Sequence, residues 1–266
     1  MPQRPLAVIT GASEGLGRDF AELYALDGHD VVVVARREGP LRTLARELEA
    51  RCGVQCQVVV ADLATREGCD AVVAAVEPER ARLVALVNNA GLGAVGWFHE
   101  LEWSRSQAQL DVNVTALVYL THCMLPWMRA NRRGHVMQVA SVAAFQPGPL
   151  MAVYYASKAF VLSFAEALHN ECAGSGVSIT AVCPGPTTTG FQREAGITAS
   201  ARPGGPPPMS SRAVAVRAYL GTKRGRAVVV TGLRNRIAAL LGRYLPRAWS
   251  ASVIRRIQLE RMAASG

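Results

Sequence analysis

Three side chains in the middle of the sequence have types and spacing suited to proton transfer. Ser141 follows the apolar run 136–140, Tyr154 comes thirteen residues later, and Lys158 lies four residues further on a predicted helix. Residues four apart share a helical face, so a lysine cation would favour the phenolate and lower a tyrosine pKa that starts at about 10. The trio predicts proton exchange with a carbonyl oxygen, to which Ser141 would also hydrogen-bond.

A surface tyrosine with a lysine one turn later is the simpler alternative, and Tyr155 stands beside Tyr154. We favour the catalytic interpretation because Ser141 ends a predicted strand and Tyr154 opens the next helix. Both then lie at the carboxyl edge of the sheet. Tyr155 is less suited to the role because Ala159, not a lysine, follows it four residues later.

A glycine-rich turn near the N-terminus indicates a dinucleotide site. Thr10, Gly11, Gly15 and Gly17 directly follow the apolar run 6–9. A strand that ends here and a helix that begins near Gly15 would direct backbone N–H groups and the positive helix end at a pyrophosphate. The spacing G-x-x-x-G-x-G differs from the commoner fingerprint, and a plain turn between strand and helix is the alternative.

Residues after the next three strands extend this prediction. Arg36 and Arg37 follow the second strand, where a 2′-phosphate would need a guanidinium, so NADP(H) is the expected cofactor. The arginines could instead be a solvated helix start. Asp62 and Leu63 could meet the adenine edge, although Asp62 could also cap the following helix. The segment 88–91, which contains Asn89, Ala90 and Gly91, follows the fourth strand at the expected ligand edge or is simply an Asn-rich turn.

The chain alternates short apolar runs with longer helical patterns, as βαβ units do. Runs that are apolar on both faces predict a doubly wound, Rossmann-type, mostly parallel seven-stranded sheet in one domain spanning residues 1–266. Strands are expected at 6–10, 31–35, 57–61, 83–87, 136–140, 178–182 and 227–230, and helices at 15–27, 40–51, 66–76, 104–130 and 152–173. A Pro- and Gly-rich excursion at about 190–212 is expected to be a substrate lid or a disordered loop.

Composition narrows the class of protein. The chain has 266 residues, half of them apolar, a formal charge of +9 and six cysteines without a C-x-x-C pair. These values predict a globular, cytoplasmic protein without disulfides, and neither a signal peptide nor a membrane span is expected. The histidines lack zinc-like spacing, so no metal is predicted. Without a basic stripe with interleaved aromatic residues, no nucleic-acid binding is predicted.

The motifs together resemble the short-chain dehydrogenase/reductase family across almost the whole chain. They are T-G-x-x-x-G-x-G at 10–17, N-N-A-G at 88–91, Asn113, Ser141, Tyr154-x-x-x-Lys158 and Pro184-Gly185. Ala35-Arg36-Arg37 and the basic tail are similar to those of its NADP-dependent ketone and 3-oxoacyl reductases, which include relatives of the 17β-hydroxysteroid dehydrogenases.

The resemblance implies roles for individual residues. Asn113 would bind a water that links Lys158 to solvent, and Lys158 would also hold the ribose hydroxyls. The cofactor phosphates would contact Gly11, Ser13, Gly15 and Leu16, and the 2′-phosphate would contact Arg36 and secondarily Arg37. The adenosine would lie near Asp62 and Asn89. The nicotinamide would be lined by Pro184, Gly185 and Thr189, with Thr187 and Thr188 as neighbouring candidates. The family also implies a homodimer or homotetramer through the helices at 104–130 and 152–173.

The expected activity is reversible NADPH-dependent reduction of an apolar ketone or 3-oxoacyl substrate. A pocket edge containing Phe145, Leu150, Met151 and Phe191 suggests that the substrate is apolar. A non-catalytic dinucleotide-sensing protein and a membrane-surface steroid or lipid dehydrogenase are the alternatives.

The segment 233–261 alternates apolar residues with arginines and predicts basic amphipathic helices. We favour a helix face that closes the pocket or contacts another subunit over peripheral binding to anionic lipid.

Overall fold

A parallel sheet forms the centre of the computed structural model, which describes residues 3–188 and 208–263. Its seven strands have the order β3-β2-β1-β4-β5-β6-β9, and every neighbouring pair is parallel. The doubly wound α/β prediction is confirmed. The strands are β1 (Leu6–Thr10), β2 (Asp30–Ala35), β3 (Cys56–Val60), β4 (Leu83–Asn88), β5 (Gly134–Val139), β6 (Val177–Cys183), the short pair β7 (Thr187–Thr188) and β8 (Met209–Ser210) outside this sheet, and β9 (Val228–Val230).

The helices connect these strands and follow the predicted bounds within a few residues, with two differences. They are α1 (Gly15–Leu26), α2 (Glu38–Cys52), α3 (Arg66–Val76), α4 (Trp103–Leu110), α5 (Leu117–Ala130), α6 (Ala152–Glu171), α7 (Ser211–Lys223), α8 (Leu233–Tyr244) and α9 (Arg247–Ala263). The predicted helix 104–130 contains a π-helical turn at Asp111–Ala116 between α4 and α5. Most of the excursion predicted at about 190–212 lies outside the described residues, and only its C-terminal bound can be compared: the Ser210 hydroxyl accepts a hydrogen bond from the Ala213 N–H and caps α7, so a helix begins at Ser211.

Two apolar layers cover the sheet because successive strand residues point to opposite faces. Leu6 and Val8 of β1 pack into the layer that contains α3, α5 and α6. Ala7 and Ile9 pack into the layer with α1, α2 and α7. Burial on both faces explains why the strands read as continuous apolar runs rather than as alternating ones.

The strand order reverses between β1 and β4, which lie side by side. In sheets of this kind the reversal opens a crevice beyond the carboxyl ends of the strands. β1 ends at Thr10, β4 at Asn88 and β5 at Val139. The predicted site residues after these strands therefore meet at one edge of the sheet.

Candidate active site

The turn after β1 has a backbone geometry that requires glycine. Gly11 has φ +66°, and a Cβ on it would lie 2.9 Å from Ala90 Cα. A Cβ on Gly17 would lie 2.1 Å from the Gly11 carbonyl oxygen, so a side chain here would separate α1 from the turn. Glu14 precedes α1, and its side chain makes no capping hydrogen bond to the helix. The N–H groups of its first turn lack intrahelical acceptors and therefore suit an anion.

Hydrogen bonds from Thr10 and Asn89 position this turn. The Thr10 hydroxyl accepts from the N–H groups of Asn89 and Ala90, both at 3.0 Å. The Asn89 amide donates to the carbonyl oxygens of Thr10 at 2.9 Å and Gly11 at 3.2 Å. Asn89 was expected near adenosine. It does line the cavity, but both of these amide contacts join β1 to β4.

The two arginines after β2 have different surroundings. Arg37 donates to the Ser13 hydroxyl at 3.0 Å and pairs with Glu14 at 3.0 Å. Arg36 is exposed and lines the cavity, and within residues 3–188 and 208–263 its side chain has no hydrogen bond or ion pair. Of the two arginines, Arg36 is therefore the one whose guanidinium has no carboxylate partner in the described part of the chain.

Ser141 and Tyr154 meet as the sequence predicted. Ser141 directly follows β5 and caps the short 3₁₀ helix Val142–Phe145, where its hydroxyl accepts from the Ala143 N–H at 3.1 Å. Tyr154 lies in the first turn of α6 and is hydrogen-bonded to Ser141. Both side chains line the cavity.

Lys158 completes the trio from the next turn of α6. It is only 4% exposed, and its Nζ donates to the Val139 carbonyl oxygen at 2.8 Å. Nζ lies 5.9 Å from the centroid of the Tyr154 ring. Burial disfavours the ammonium and lowers the pKa of Lys158 to about 8, against a weaker opposing effect of Cys183.

The expected lowering of the tyrosine pKa is wrong for this structure. Shielding from water raises the pKa of Tyr154 to about 12, and the neighbouring Tyr155 adds to the rise. The hydrogen bond from Ser141 acts in the opposite direction but is weaker. The effect of burial is the larger one. Lys158 directs its ammonium to a backbone carbonyl, and desolvation disfavours the charged form of both groups. The phenol therefore holds its proton at neutral pH.

Asn113 lies behind the cavity rather than in its wall. It is fully buried in the π-helical turn. Its Oδ1 accepts from the Leu92 N–H at 2.8 Å, and its Nδ2 donates to the Leu92 carbonyl oxygen at 2.9 Å and the Ser157 hydroxyl at 3.0 Å. A Cβ on Gly91 would lie 3.3 Å from both Asn113 Oδ1 and Lys158 Nζ. Asn113 thus joins the loop after β4 to the helix that carries the trio.

Most of the other predicted cofactor residues line one cavity of about 320 Å³. Asp62 accepts from the Ala64 N–H at 3.0 Å, while Thr65, not Asp62, caps α3. Gly185 is not among the lining residues, because Asn235 of α8 lies against it. Thr189 lies outside the described residues. The predicted residues in the wall are Gly11, Ser13, Gly15, Leu16, Arg36, Arg37, Asp62, Leu63, Asn89, Ala90, Gly91, Ser141, Tyr154, Lys158, Pro184 and Thr187.

The apolar edge matches the prediction only in part. Met151 lines the main cavity, whereas Leu150 lines a small neighbouring pocket. Phe145 packs against the apolar layer of α3, α5 and α6 and is not in the wall. Phe191 lies outside the described residues.

Helix α9 supplies two polar wall residues that sequence reasoning missed, Gln258 and Arg261. Gln258 is 2% exposed, and its amide donates to Met151 Sδ at 3.3 Å and the Tyr155 hydroxyl at 3.4 Å. Its Oε1 has no hydrogen-bond partner in the described part of the chain. The segment was expected to close the pocket, but no sequence signal marked these two positions.

Comparison with known proteins agrees with this geometry. The family model for short chain dehydrogenases matches residues 5–199. A 7β-hydroxysteroid dehydrogenase of Collinsella aerofaciens is 35% identical over 182 residues, which is 68% of each chain. Among solved structures, a short-chain dehydrogenase from Sphingobium yanoikuyae in complex with NADPH has a TM-score of 0.79 at 34% identity and covers 90% of this chain and 92% of its own.

A bulky-bulky ketone specific alcohol dehydrogenase from Comamonas testosteroni is also similar. Its TM-score is 0.76 at 27% identity, with 97% of this chain and 94% of that chain covered. The chain belongs to the short-chain dehydrogenase family. It is an oxidoreductase of that type, which uses a nicotinamide dinucleotide and acts on small molecules. Within residues 3–188 and 208–263, no helix combines the length and apolar character needed to span a bilayer.

Proposed function

We propose that the protein is an NADPH-dependent carbonyl reductase that acts on an apolar ketone or 3-oxoacyl substrate. The observation that carries this proposal is the hydrogen-bonded pair of Ser141 and Tyr154, with Lys158 one turn away, in the same cavity as the glycine turn. A binding protein that only senses dinucleotide has no use for a buried proton donor at this position. The reaction class therefore follows from the trio, and the substrate class from the apolar wall around Met151.

The residues present fit a dinucleotide. A Cβ on Gly11 would fill the close approach of the turn to β4, and the uncapped start of α1 supplies N–H donors for a pyrophosphate. When bound, the cofactor supplies a hydride to the carbonyl carbon. The phosphates would be held by Gly11, Ser13, Gly15 and Leu16, the adenosine by Asp62, Leu63, Asn89, Ala90 and Gly91, and the nicotinamide by Pro184 and Thr187.

The choice of NADPH over NADH rests on Arg36. Its exposed guanidinium in the cavity wall can form charged hydrogen bonds with a 2′-phosphate, whereas Arg37 is already engaged by Glu14. Arg37 can support the same phosphate through Ser13. The similar Sphingobium yanoikuyae protein binds NADPH, which is consistent with this choice.

Tyr154 is the proton donor in this proposal. Because its pKa of about 12 lies far above neutral pH, the phenol carries the proton that a general acid must give to the substrate oxygen. The Ser141 hydroxyl donates to the same oxygen as negative charge develops there. In alcohol oxidation the phenolate would take the proton back.

Lys158 and Asn113 support the proton donor, Tyr154, by charge and by positioning. The ammonium of Lys158 stabilises the phenolate that remains after proton transfer, and it would hold the ribose hydroxyls. Asn113 is the positioning residue that fixes the loop after β4 against α6 through Leu92 and Ser157. The π-helical turn also interrupts the regular i to i−4 ladder, which suits the proposed water between Lys158 and solvent.

We propose in addition that the protein is a homodimer or homotetramer assembled through α4, α5 and α6. Three large side chains on α4 and α6, Trp103, Leu110 and Phe160, are at least 36% exposed. Large apolar side chains that are exposed in a single chain are typical of a helix face that another subunit covers. Sedimentation equilibrium of the wild type and of Phe160→Ser tests this assembly, which fails if the wild type is a monomer.

The test of the proposed function is NADPH oxidation against a graded panel of ketones and 3-oxoacyl thioesters, with NADH as the control. We expect turnover with apolar ketones and a clear preference for NADPH. Tight NADPH binding without turnover across the panel would support the dinucleotide-sensing alternative instead. Equal rates with NADH would remove the role assigned to Arg36.

A further inference from the structure

Helix α8 exposes its large apolar side chains instead of burying them. Leu233 is 73% exposed and Tyr244 is 76% exposed, and the apolar residues between them on the same stripe are 51–59% exposed. At 3.6 residues per turn, the stripe occupies an arc of about 100° on one side of the helix. We call it the α8 stripe: Leu233, Ile237, Leu240, Leu241 and Tyr244.

Small residues on the opposite side of α8 contact the rest of the protein. Asn235 lies against Gly185 and donates to the Thr231 carbonyl oxygen at 2.6 Å. Ala239 is 6% exposed, and a Cβ on Gly242 would lie 3.2 Å from Gln146 Oε1. The packing of α8 is therefore inverted relative to an ordinary surface helix, whose apolar stripe faces the core.

Arginines border the α8 stripe on both sides. By helical periodicity Arg234 lies on one side and Arg236 and Arg243 on the other, and all three are exposed. The whole segment 233–261 contains seven arginines and one glutamate. An apolar stripe between exposed cations is the pattern of a helix that lies in the headgroup region of a membrane. Tyr244 also suits the headgroup region, because its side chain has an apolar ring and a polar hydroxyl.

The charge also distinguishes between two occupants of this surface. In a symmetric pair of chains the same patch faces itself, so a second copy would bring its arginines close to those of the first. An anionic headgroup layer instead supplies the opposite charge and an apolar interior together. Charge complementarity therefore favours lipid over a second copy.

We propose that α8 docks the protein on anionic lipid surfaces, with the α8 stripe in the apolar boundary and Arg234, Arg236 and Arg243 at the headgroups. This proposal does not depend on the enzyme's substrate. It changes the preference stated from the sequence, because within the described residues the α8 stripe neither lines the cavity nor is buried against the body of the protein.

Vesicle flotation of the full-length protein tests the proposal. The probes are phosphatidylcholine vesicles with and without phosphatidylglycerol, at low and high salt. One double variant, Leu240→Ser with Tyr244→Ser, removes apolar contacts, and a second, Arg236→Gln with Arg243→Gln, removes charge. The matched controls are Leu26→Ser with Leu220→Ser, and Arg46→Gln with Arg224→Gln, all at exposed positions away from α8. Circular dichroism melting confirms that each variant is folded.

We expect the wild type and both controls to float with the anionic vesicles at low salt and to be released by high salt. Each α8 variant should bind at least about tenfold more weakly. Failure of the wild type to float with phosphatidylglycerol would overturn the proposal, as would equal losses in the controls. Sedimentation equilibrium provides a further check: an oligomer that only the Leu240→Ser, Tyr244→Ser variant dissociates, without vesicle binding by the wild type, would assign the stripe to a second copy.

Discussion

The two walls of the cavity are built in opposite ways. At the sheet edge, Thr10, Asn89, Asn113 and Lys158 each make hydrogen bonds to backbone groups of neighbouring elements. The wall formed by α9 contributes Gln258, whose contacts are a thioether and a phenol at 3.3 and 3.4 Å. The neighbouring helix α8 rests on small residues and exposes its large ones.

This difference separates reaction from selection. Groups that transfer a proton must be held within a fraction of an ångström, and buried hydrogen bonds to the backbone do this. A wall with looser contacts can vary without disturbing the chemistry. Substitutions at the sheet edge should therefore reduce turnover or folding strongly, whereas substitutions on α9 should mainly change substrate preference.

Apart from loss of the Tyr154 hydroxyl itself, the largest expected effect at the sheet edge is on the kcat of Lys158→Met. The variant removes the cation that stabilises the phenolate of Tyr154, so we expect kcat to fall about a thousandfold. Steady-state NADPH oxidation with a reactive ketone measures the loss. A fall of less than about tenfold would mean that the buried ammonium serves folding and not catalysis.

The same variant also has a signature in stability. The folded protein holds the Lys158 proton with a pKa of about 8, against 10.5 for an ordinary lysine. Between these values the unfolded chain binds more protons, so the contribution of this group to stability rises with pH. Urea unfolding from pH 8 to pH 10.5 should show the wild type gaining stability relative to Lys158→Met. Parallel curves would contradict the lowered pKa.

Gly17→Ala should break the packing between the turn and α1. The new Cβ would lie 2.1 Å from the Gly11 carbonyl oxygen, which is backbone and cannot rotate away. We expect a loss of about 3 kcal/mol in the free energy of unfolding. Gly39→Ala is the control, since nothing lies within 4 Å of its Cβ position. Equal stability of the two variants, measured by urea unfolding, would show that the turn relaxes easily.

Arg36→Ala tests the cofactor preference at the rim of the sheet edge. Loss of a charged hydrogen bond to a 2′-phosphate should raise the KM for NADPH about thirtyfold and leave that for NADH unchanged. Arg37→Ala should have a smaller effect because that guanidinium is paired with Glu14. If the two variants changed the KM for NADPH equally, the distinction between the arginines would be lost.

Gln258→Leu should have the smallest effect, and it should depend on the substrate. Gln258 is buried in the α9 wall with Oε1 unpaired within the described residues. We expect the KM for ketones with a distal hydroxyl to rise about fivefold and the KM for NADPH to stay constant. A uniform fall in kcat across the ketone panel would mean that α9, like the sheet edge, positions the reacting groups and does not select the substrate.

The same contrast explains what the sequence could predict. Gly11 and Gly17 are demanded by local backbone geometry, and Tyr154 and Lys158 by helical spacing, so their positions could be inferred from the residues alone. The orientation of α8 could not, because its periodicity is the same whether the apolar stripe faces inward or outward. Burial of Gln258 and the π-helical turn around Asn113 depend on tertiary contacts far apart in the chain.

The prediction that the pKa of Tyr154 is lowered was wrong for a related reason. Spacing placed a lysine beside the phenol but carried no information on solvent exposure. In the folded protein, desolvation is the largest effect on the Tyr154 pKa and raises it, and the effect that opposes it comes from the Ser141 hydrogen bond rather than from Lys158. Charge patterns in a sequence thus predict partners better than they predict protonation.

The central claim is that the Tyr154 hydroxyl gives the proton, and the most direct measurement compares Tyr154→Phe with Tyr155→Phe. Each variant removes one phenolic hydroxyl from the same cavity, but only Tyr154 is hydrogen-bonded to Ser141. With NADPH binding monitored by fluorescence, we expect Tyr154→Phe to bind normally and to lose at least about a thousandfold in kcat, while Tyr155→Phe stays within a few-fold of the wild type. Undiminished turnover by Tyr154→Phe, or an equal loss in both variants, would contradict the account.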